Sequence, residues 1–196
     1  NGNNLIDGVN GNLSFSNTFQ LISIALLAMI VGDNVILQLV FILLIPLLVF
    51  TFFNFPFGKI FCGDAGAYLY GFAISGSIIS LFGNNVALFS WSAILILLYP
   101  SLELLFSFIR KMILENGSPF EADAKHLHSL LFKFLNKRKS KFNNSLVAMY
   151  LFPFTITPIL SYFFYSDLFA TLFTIISLCV LYVYINLFLL KKLHSN

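Results

Sequence analysis

The stretch Phe61-Cys62-Gly63-Asp64-Ala65-Gly66 sets one carboxylate in a glycine-flanked turn between two apolar runs. Val35–Phe53 before it and Ala65–Phe82 after it carry no charge at all. Each is close to the roughly 20 residues that a membrane-spanning helix needs. An ionised group at the mouth of two such segments is unfavourable unless it faces protein, water or a cation, so Asp64 is a candidate functional residue.

Composition points the same way along the whole chain. Of the 196 residues, 59% are hydrophobic, 10% are charged and 25 are Phe. A soluble domain of that length carries about a quarter charged residues, so the soluble class is excluded. Four more apolar runs, Phe15–Val31, Val86–Ile109, Leu146–Tyr165 and Leu168–Leu190, bring the expected spans to six. The expected fold is an all-α integral membrane protein, one polytopic domain over residues 1–196. Pro46, Pro100, Pro153 and Pro158 fall inside spans and predict kinks. Cys62 and Cys179 lie far apart in apolar surroundings and act as small hydrophobes.

Charge orients the spans. The connectors Gly32–Asn34, Gly83–Asn85 and Ser166–Asp167 are short, whereas Asn54–Asp64 and Arg110–Ser145 are long. Alternating helices put the opening loop Asn1–Asn12, both long connectors and the tail on one side. All 11 Lys and Arg lie on that side. Cytoplasmic loops carry the Lys/Arg excess, so these loops and the carboxyl terminus are expected on the cytoplasmic side of the membrane.

Three polar groups share that face. The opening loop spaces Asn1, Asn4, Asp7 and Asn10 by three. Its side chains suit sugar or base hydroxyls or a hard cation, although a loop of Asx turns bonding its own backbone is the plainer reading. Asp64 serves equally as a cap of the third span or as a metal ligand, and small neighbours at Gly63 and Gly66 let a phosphate approach the helix start. His126 and His128 are two residues apart and share no helical face. They converge only if the backbone is extended or turning there. They read as donors to phosphate or as solvated loop residues, and structural zinc is disfavoured for want of further ligands. Leu127, Leu130, Leu131, Phe134 and Leu135 follow helical spacing, which predicts a short amphipathic surface helix. The run Lys137–Lys141 suits anionic headgroups. Glu103, seven residues before Arg110, is expected to meet it in a structural ion pair.

Four segments, in order, give the chain its resemblance to a family. Asn1–Gly11 resembles an N-x-x-N-x-x-D-G-x-D-G loop. Phe57–Gly71 resembles an F-M-G-D-x-G segment, Pro100–Arg110 a P-x-x-[D/E] helix, and Ser118–Leu131 an S-P-F-x-x-D-x-x-H-L-H-H loop. Together they resemble the polyprenyl-phosphate N-acetylhexosamine-1-phosphate transferases, glycosyltransferase family 4, and among these the bacterial undecaprenyl-phosphate GlcNAc-1-phosphate transferases. The resemblance implies transfer of a sugar 1-phosphate from a UDP-sugar to polyprenyl phosphate, with release of UMP, as a first membrane step of cell-envelope polysaccharide synthesis. It implies Mg²⁺, with Mn²⁺ as the substitute, held by Asp64. It gives Asp64, His126 and His128 catalytic roles, and it gives Asn4, Asp7, Asn10, Lys59, Gly63, Arg110 and Asp123 roles in binding substrate. The implied partners are the UDP-sugar, undecaprenyl phosphate and membrane lipid, with a homodimer admitted and nucleic acid excluded. The implied location is the bacterial cytoplasmic (inner) membrane. Asn10 stands where the family has a second aspartate, and Ser129 where it has a further histidine. The family's D-D-x-x-D motif lies upstream of this segment. The 196 residues are therefore expected to form the carboxyl-terminal half of a longer enzyme and to be inactive alone. A non-catalytic paralogue and an ion-coupled transporter are the alternatives.

Overall fold

The computed structural model describes residues 1–113, 125–136 and 143–194. Asp123 and the basic run Lys137–Lys141 lie outside them. The described chain is all helical. In order come α1 (Gly2–Ile6), α2 (Asn12–Val31), α3 (Asn34–Asn54), α4 (Gly63–Asn84), α5 (Ser92–Ile113), α6 (Leu127–Asn136) and α7 (Asn143–Thr155), then a 3₁₀ turn (Thr157–Ile159), α8 (Leu160–Phe164) and α9 (Leu168–His194). Six helical stretches are long and apolar enough to cross a membrane: α2, α3, α4, α5, the segment Asn143–Phe164, and α9. Outward side chains such as Phe72 (82% exposed) and Phe169 (84%) suit a lipid surround.

The helices pack as the connector lengths demand. The short Gly32–Asp33 turn makes α2 and α3 antiparallel neighbours, and they share the largest interface. Gly32 takes a left-handed φ of 73° at the end of α2, and Asp33 accepts a bond from the Ile36 N–H to open α3. One core joins Leu21, Ile24, Leu27, Val40, Leu47, Ile74, Leu81 and Ile96 from α2 to α5. A second joins Ile6, Leu13, Tyr99, Leu127, Leu130, Val147, Leu151, Phe154 and Tyr182, and so ties α1 and α6 to the spans. The amphipathic α6 forms at the expected place, its apolar side against α7 and α9.

Three features depart from the expectations. The opening stretch is not only turns, because Gly2–Ile6 forms a single helical turn packed between α4 and α5. Tertiary burial overrides the poor helix propensity of Gly and Asn there: Ile6 is fully buried, and a Cβ on Gly2 would lie 2.7 Å from the Pro100 carbonyl oxygen. The fourth span begins at Ser92, not Val86. The intervening turn is fixed by Phe89 N–H donating to Tyr165 O at 2.8 Å, which joins two short connectors at one end of the bundle. The fifth span is broken outright where a kink was expected. Thr155 and Thr157 hydroxyls donate to the carbonyls of Phe152 and Phe154, and Ser23 of α2 donates to Pro158 O at 2.8 Å. The Thr157 hydroxyl thus satisfies the Phe154 carbonyl, which Pro158, lacking an N–H, leaves without its helical donor.

At the other end of the bundle the long connectors gather. Asn54, 3% exposed, is the joint. Its Oδ1 accepts from Gly11 N–H at 2.7 Å and its Nδ2 donates to Ile60 O at 2.8 Å, clamping the opening loop to the Asp64 connector. Asn10 Nδ2 and Ser145 Oγ both donate to Pro56 O, and Asn10 N–H donates to Asn144 Oδ1 at 2.6 Å. Removing one partner of a buried bond leaves the other unsatisfied, at about 1–3 kcal/mol each. Asn54→Leu is expected to lower unfolding free energy by about 2 kcal/mol or more and to speed hydrogen exchange at residues 10–12 and 58–62, measured by denaturant titration and mass spectrometry.

Candidate functional site

Asp64 sits in the first turn of α4, exposed, with Gly63 before it at φ +65°. No side chain caps the helix start at Cys62. A Cβ on Gly63 would meet nothing within 4 Å. Gly63 is therefore demanded by its backbone angle and leaves open space before the helix start. Gly66 is demanded by contact, since a Cβ there would strike Cys62 Sγ.

Asp7 follows α1 directly and comes to the same place. Gly63 N–H bonds the Asp7 carboxylate, and the Asp64 charge acts on it. Burial, more than offsetting the Gly63 bond, and the repulsion of Asp64 together push the Asp7 carboxyl up to about 6. The same two influences, burial first and the Asp7 charge second, hold the Cys62 thiol at about 11, protonated at neutral pH. Asn4 is in reach as well, its Nδ2 donating to Tyr68 OH at 3.2 Å, one turn along α4 from Asp64. The opening loop and the Asp64 turn, far apart in sequence, thus form one polar mouth.

The histidines join it from the opposite side. His126 precedes α6 and its carbonyl accepts from Leu130 N–H, so the chain turns between the two rings. They stack at 5.8 Å with 5° between planes. His128 presses on the opening loop: a Cβ on Gly8 would run into His128 Nε2. Gly8 directly follows Asp7, so the ring packs on the loop that carries Asp7. Neither histidine is a solvated loop residue, since His128 is 7% exposed and the His126 side chain 10%. Burial, with the neighbouring His126, lowers His128 to about 4 against the pull of Glu103. The ring is neutral at neutral pH and acts as a hydrogen-bonding group, not as a cation. A cavity of about 200 Å³ opens beside it, lined by Gly8, His128, Ser129, Phe132 and Asn144 among others.

The other candidate residues are placed differently. Asn10 is buried and tied to Pro56 and Asn144, where it braces the loop. Lys59 is exposed on the connector, its N–H bonded to Phe53 O. Arg110, 2% exposed, ends α5 with Lys111. Both favour the negative end of that helix. The expected ion pair of Glu103 with Arg110 gives way to another: Glu103 meets His126, Oε2 to Nδ1 at 3.3 Å. That partner was hidden because the two residues are 23 apart and only the fold unites them. Tyr68 was also missed, although its position four after Asp64 puts it on the same helix face.

Mg²⁺ is commonly held by one or two carboxylates, with water and substrate phosphates completing its shell. Asp7 and Asp64 fit that donor set, and the raised Asp7 carboxyl marks a negative site that a cation would relieve. Among the described residues no group of three or more His, Cys, Asp or Glu is arranged for a metal.

Residues 1–82 match the model of glycosyl transferase family 4. The chain is 38% identical over 135 residues to a probable undecaprenyl-phosphate N-acetylglucosaminyl 1-phosphate transferase of Bacillus subtilis, an alignment covering 67% of this chain and 37% of the relative. It is 28% identical over 137 residues to the undecaprenyl-phosphate alpha-N-acetylglucosaminyl 1-phosphate transferase of Thermotoga maritima, covering 70% of this chain and 40% of the relative. The aligned chain thus spans well under half of either relative. No solved structure matches the chain.

Asp7 gives a signed test of this geometry. Its folded pKa lies above the ordinary carboxyl value of 3.8, so the native state binds the extra proton and stability falls as pH rises from there through about 6. In cation-free buffer, Asp7→Asn is expected to melt above the wild type at pH 7.5, the gap narrowing as pH falls below about 6 and closing only below the ordinary carboxyl value of 3.8. Equal midpoints at both pH values contradict the buried placement of Asp7.

Proposed function

Because the chain belongs to glycosyl transferase family 4, we propose that it forms the diphosphate-binding part of an enzyme that moves N-acetylhexosamine 1-phosphate from a UDP-sugar to undecaprenyl phosphate. The observation that carries this reading is the meeting of Asp7, Asp64 and the stacked histidines at one end of the bundle. A phosphate donor from water and a phosphate acceptor anchored in lipid can both reach a mouth at headgroup level. A site buried mid-membrane would exclude the first.

In this reading the acceptor's phosphate oxygen attacks the β-phosphorus of the UDP-sugar. A new phosphorus–oxygen bond forms, the bond to the bridging oxygen breaks, and UMP leaves with the electron pair. Asp64, with Asp7 beside it, would hold Mg²⁺ or Mn²⁺, which when bound supplies positive charge to the diphosphate oxygens. The protein's own share is placement. Gly63 leaves room at the start of α4, where backbone N–H groups and the helix dipole favour an anion. Neutral His128 bonds a phosphate or sugar oxygen, and the cavity at Ser129, Phe132 and Asn144 takes the sugar. Asn4 faces the nucleotide side. Lys59, Arg110, Lys111 and Lys125 add positive potential for two anionic substrates. The Lys/Arg excess on the long-loop side supports a cytoplasmic position for the site.

The test uses the full-length gene product in lipid vesicles with UDP-GlcNAc, undecaprenyl phosphate and Mg²⁺, reading UMP release. The wild type is expected to release UMP, and Asp64→Asn to lose roughly a hundredfold or more, the scale set by misplacing reacting groups. No release by the wild type, or full activity in Asp64→Asn, contradicts the proposal.

A further inference from the structure

Glu103 lies inside α5 at 1% exposure, an unusual place for a carboxylate in a membrane-spanning helix. Such a group is retained when specific partners hold it. Two donors converge on one oxygen: His126 Nδ1 at 3.3 Å and Leu127 N–H at 3.4 Å both meet Oε2. Leu127 opens the ten-residue α6, so the negative charge also sits at that helix's positive end. Tyr99 and Tyr182 flank the carboxylate from α5 and α9, and Asn12 Nδ2 in turn bonds Tyr99 OH at 2.9 Å.

This arrangement decides which way the histidines face. With Glu103 Oε2 as the acceptor, as it is for Leu127 N–H, His126 Nδ1 carries the hydrogen and Nε2 is the nitrogen left for a ligand. The ring plane of His126 is shared with His128, and His128 rests on Gly8 next to Asp7. The contacts run from the interior of α5 through both rings to Gly8 of the opening loop, the residue after Asp7.

Resting on the transferase reading, we propose that Glu103 is a positioning residue: its carboxylate fixes the Nδ1–H form of His126 and the entry of α6, and so aims His126 Nε2 and the His128 ring at the phosphate-binding mouth. Glu103 touches no substrate and acts through His126. Outer partners of functional histidines carry about tenfold to a hundredfold in activity.

Two variants of the full-length product test this. Glu103→Gln keeps the shape and one acceptor but not the charge. Glu103→Leu keeps the bulk and no acceptor. UMP release gives kcat and KM, thermal melting gives stability, and ¹⁵N-histidine NMR gives the tautomer. The expected result is a kcat about tenfold lower for Gln and about a hundredfold lower for Leu, with KM for UDP-GlcNAc within about twofold. His126 is expected as the Nδ1–H form in the wild type and as the Nε2–H form in the Leu variant. A wild-type kcat in a folded Glu103→Gln, or the Nε2–H form in the wild type, overturns the proposal. If Glu103→Leu fails to fold, the Gln kinetics and the wild-type spectrum decide. If the wild type releases no UMP, the transferase reading fails, while the wild-type tautomer still decides the Glu103 contact.

Discussion

Two carboxylates brought together at one polar mouth, Asp7 half-buried and Asp64 exposed, are the constraint around which this protein is arranged. Asp7 and Asp64 repel, and burial adds to the repulsion until the Asp7 carboxyl rises to about 6. A fold has no reason to create that conflict for its own stability, since replacing either charge would remove it. In the proposed function a cation at the mouth relieves the conflict and meets the substrate phosphates. Pre-organised charge of this kind is how sites stabilise anions without reorganising at the moment of reaction.

Holding the two charges together falls to uncharged amides and to packing. Asn54 ties the opening loop to the connector that carries Asp64, and Asn10 and Ser145 meet on the Pro56 carbonyl. The tight approach of loop and ring at Gly8 and His128 adds the third segment. Amide clamps suit this position, because each satisfies buried backbone groups without adding charge near the carboxylates. Asn10 and Ser129, the two positions that depart from the resembled motifs, acquire a physical meaning from this. Asn10 serves the brace, and Ser129 lines the cavity beside His128.

Much of this was legible in the sequence, for identifiable reasons. Hydropathy over about 20 residues reports spans directly, so six apolar runs became six spanning stretches. The gathering of the opening loop, the Asp64 connector and α6 at one end followed from connector lengths alone. What stayed hidden depends on tertiary contact. Val86–Trp91 is as apolar as a span, and only its bond to Tyr165 shows it to be a turn. Gly2–Ile6 is helical because Ile6 is buried against its neighbours. Glu103 looked like a partner for Arg110 at helical spacing, yet the buried histidine across the fold takes it. Local spacing finds partners along one helix and is blind to those that another element delivers.

The central claim is that the opening loop and the histidine segment touch. Gly8 and His128 are in side-chain contact although 120 positions apart. The direct measurement is oxidative cross-linking of Gly8→Cys with His128→Cys in the full-length product, with Cys62 and Cys179 replaced by Ser, read by mass spectrometry of the digested protein. The account predicts a disulfide joining the two peptides in high yield, with none when either engineered cysteine is absent. Two free thiols after oxidation, both still open to alkylation, contradict it.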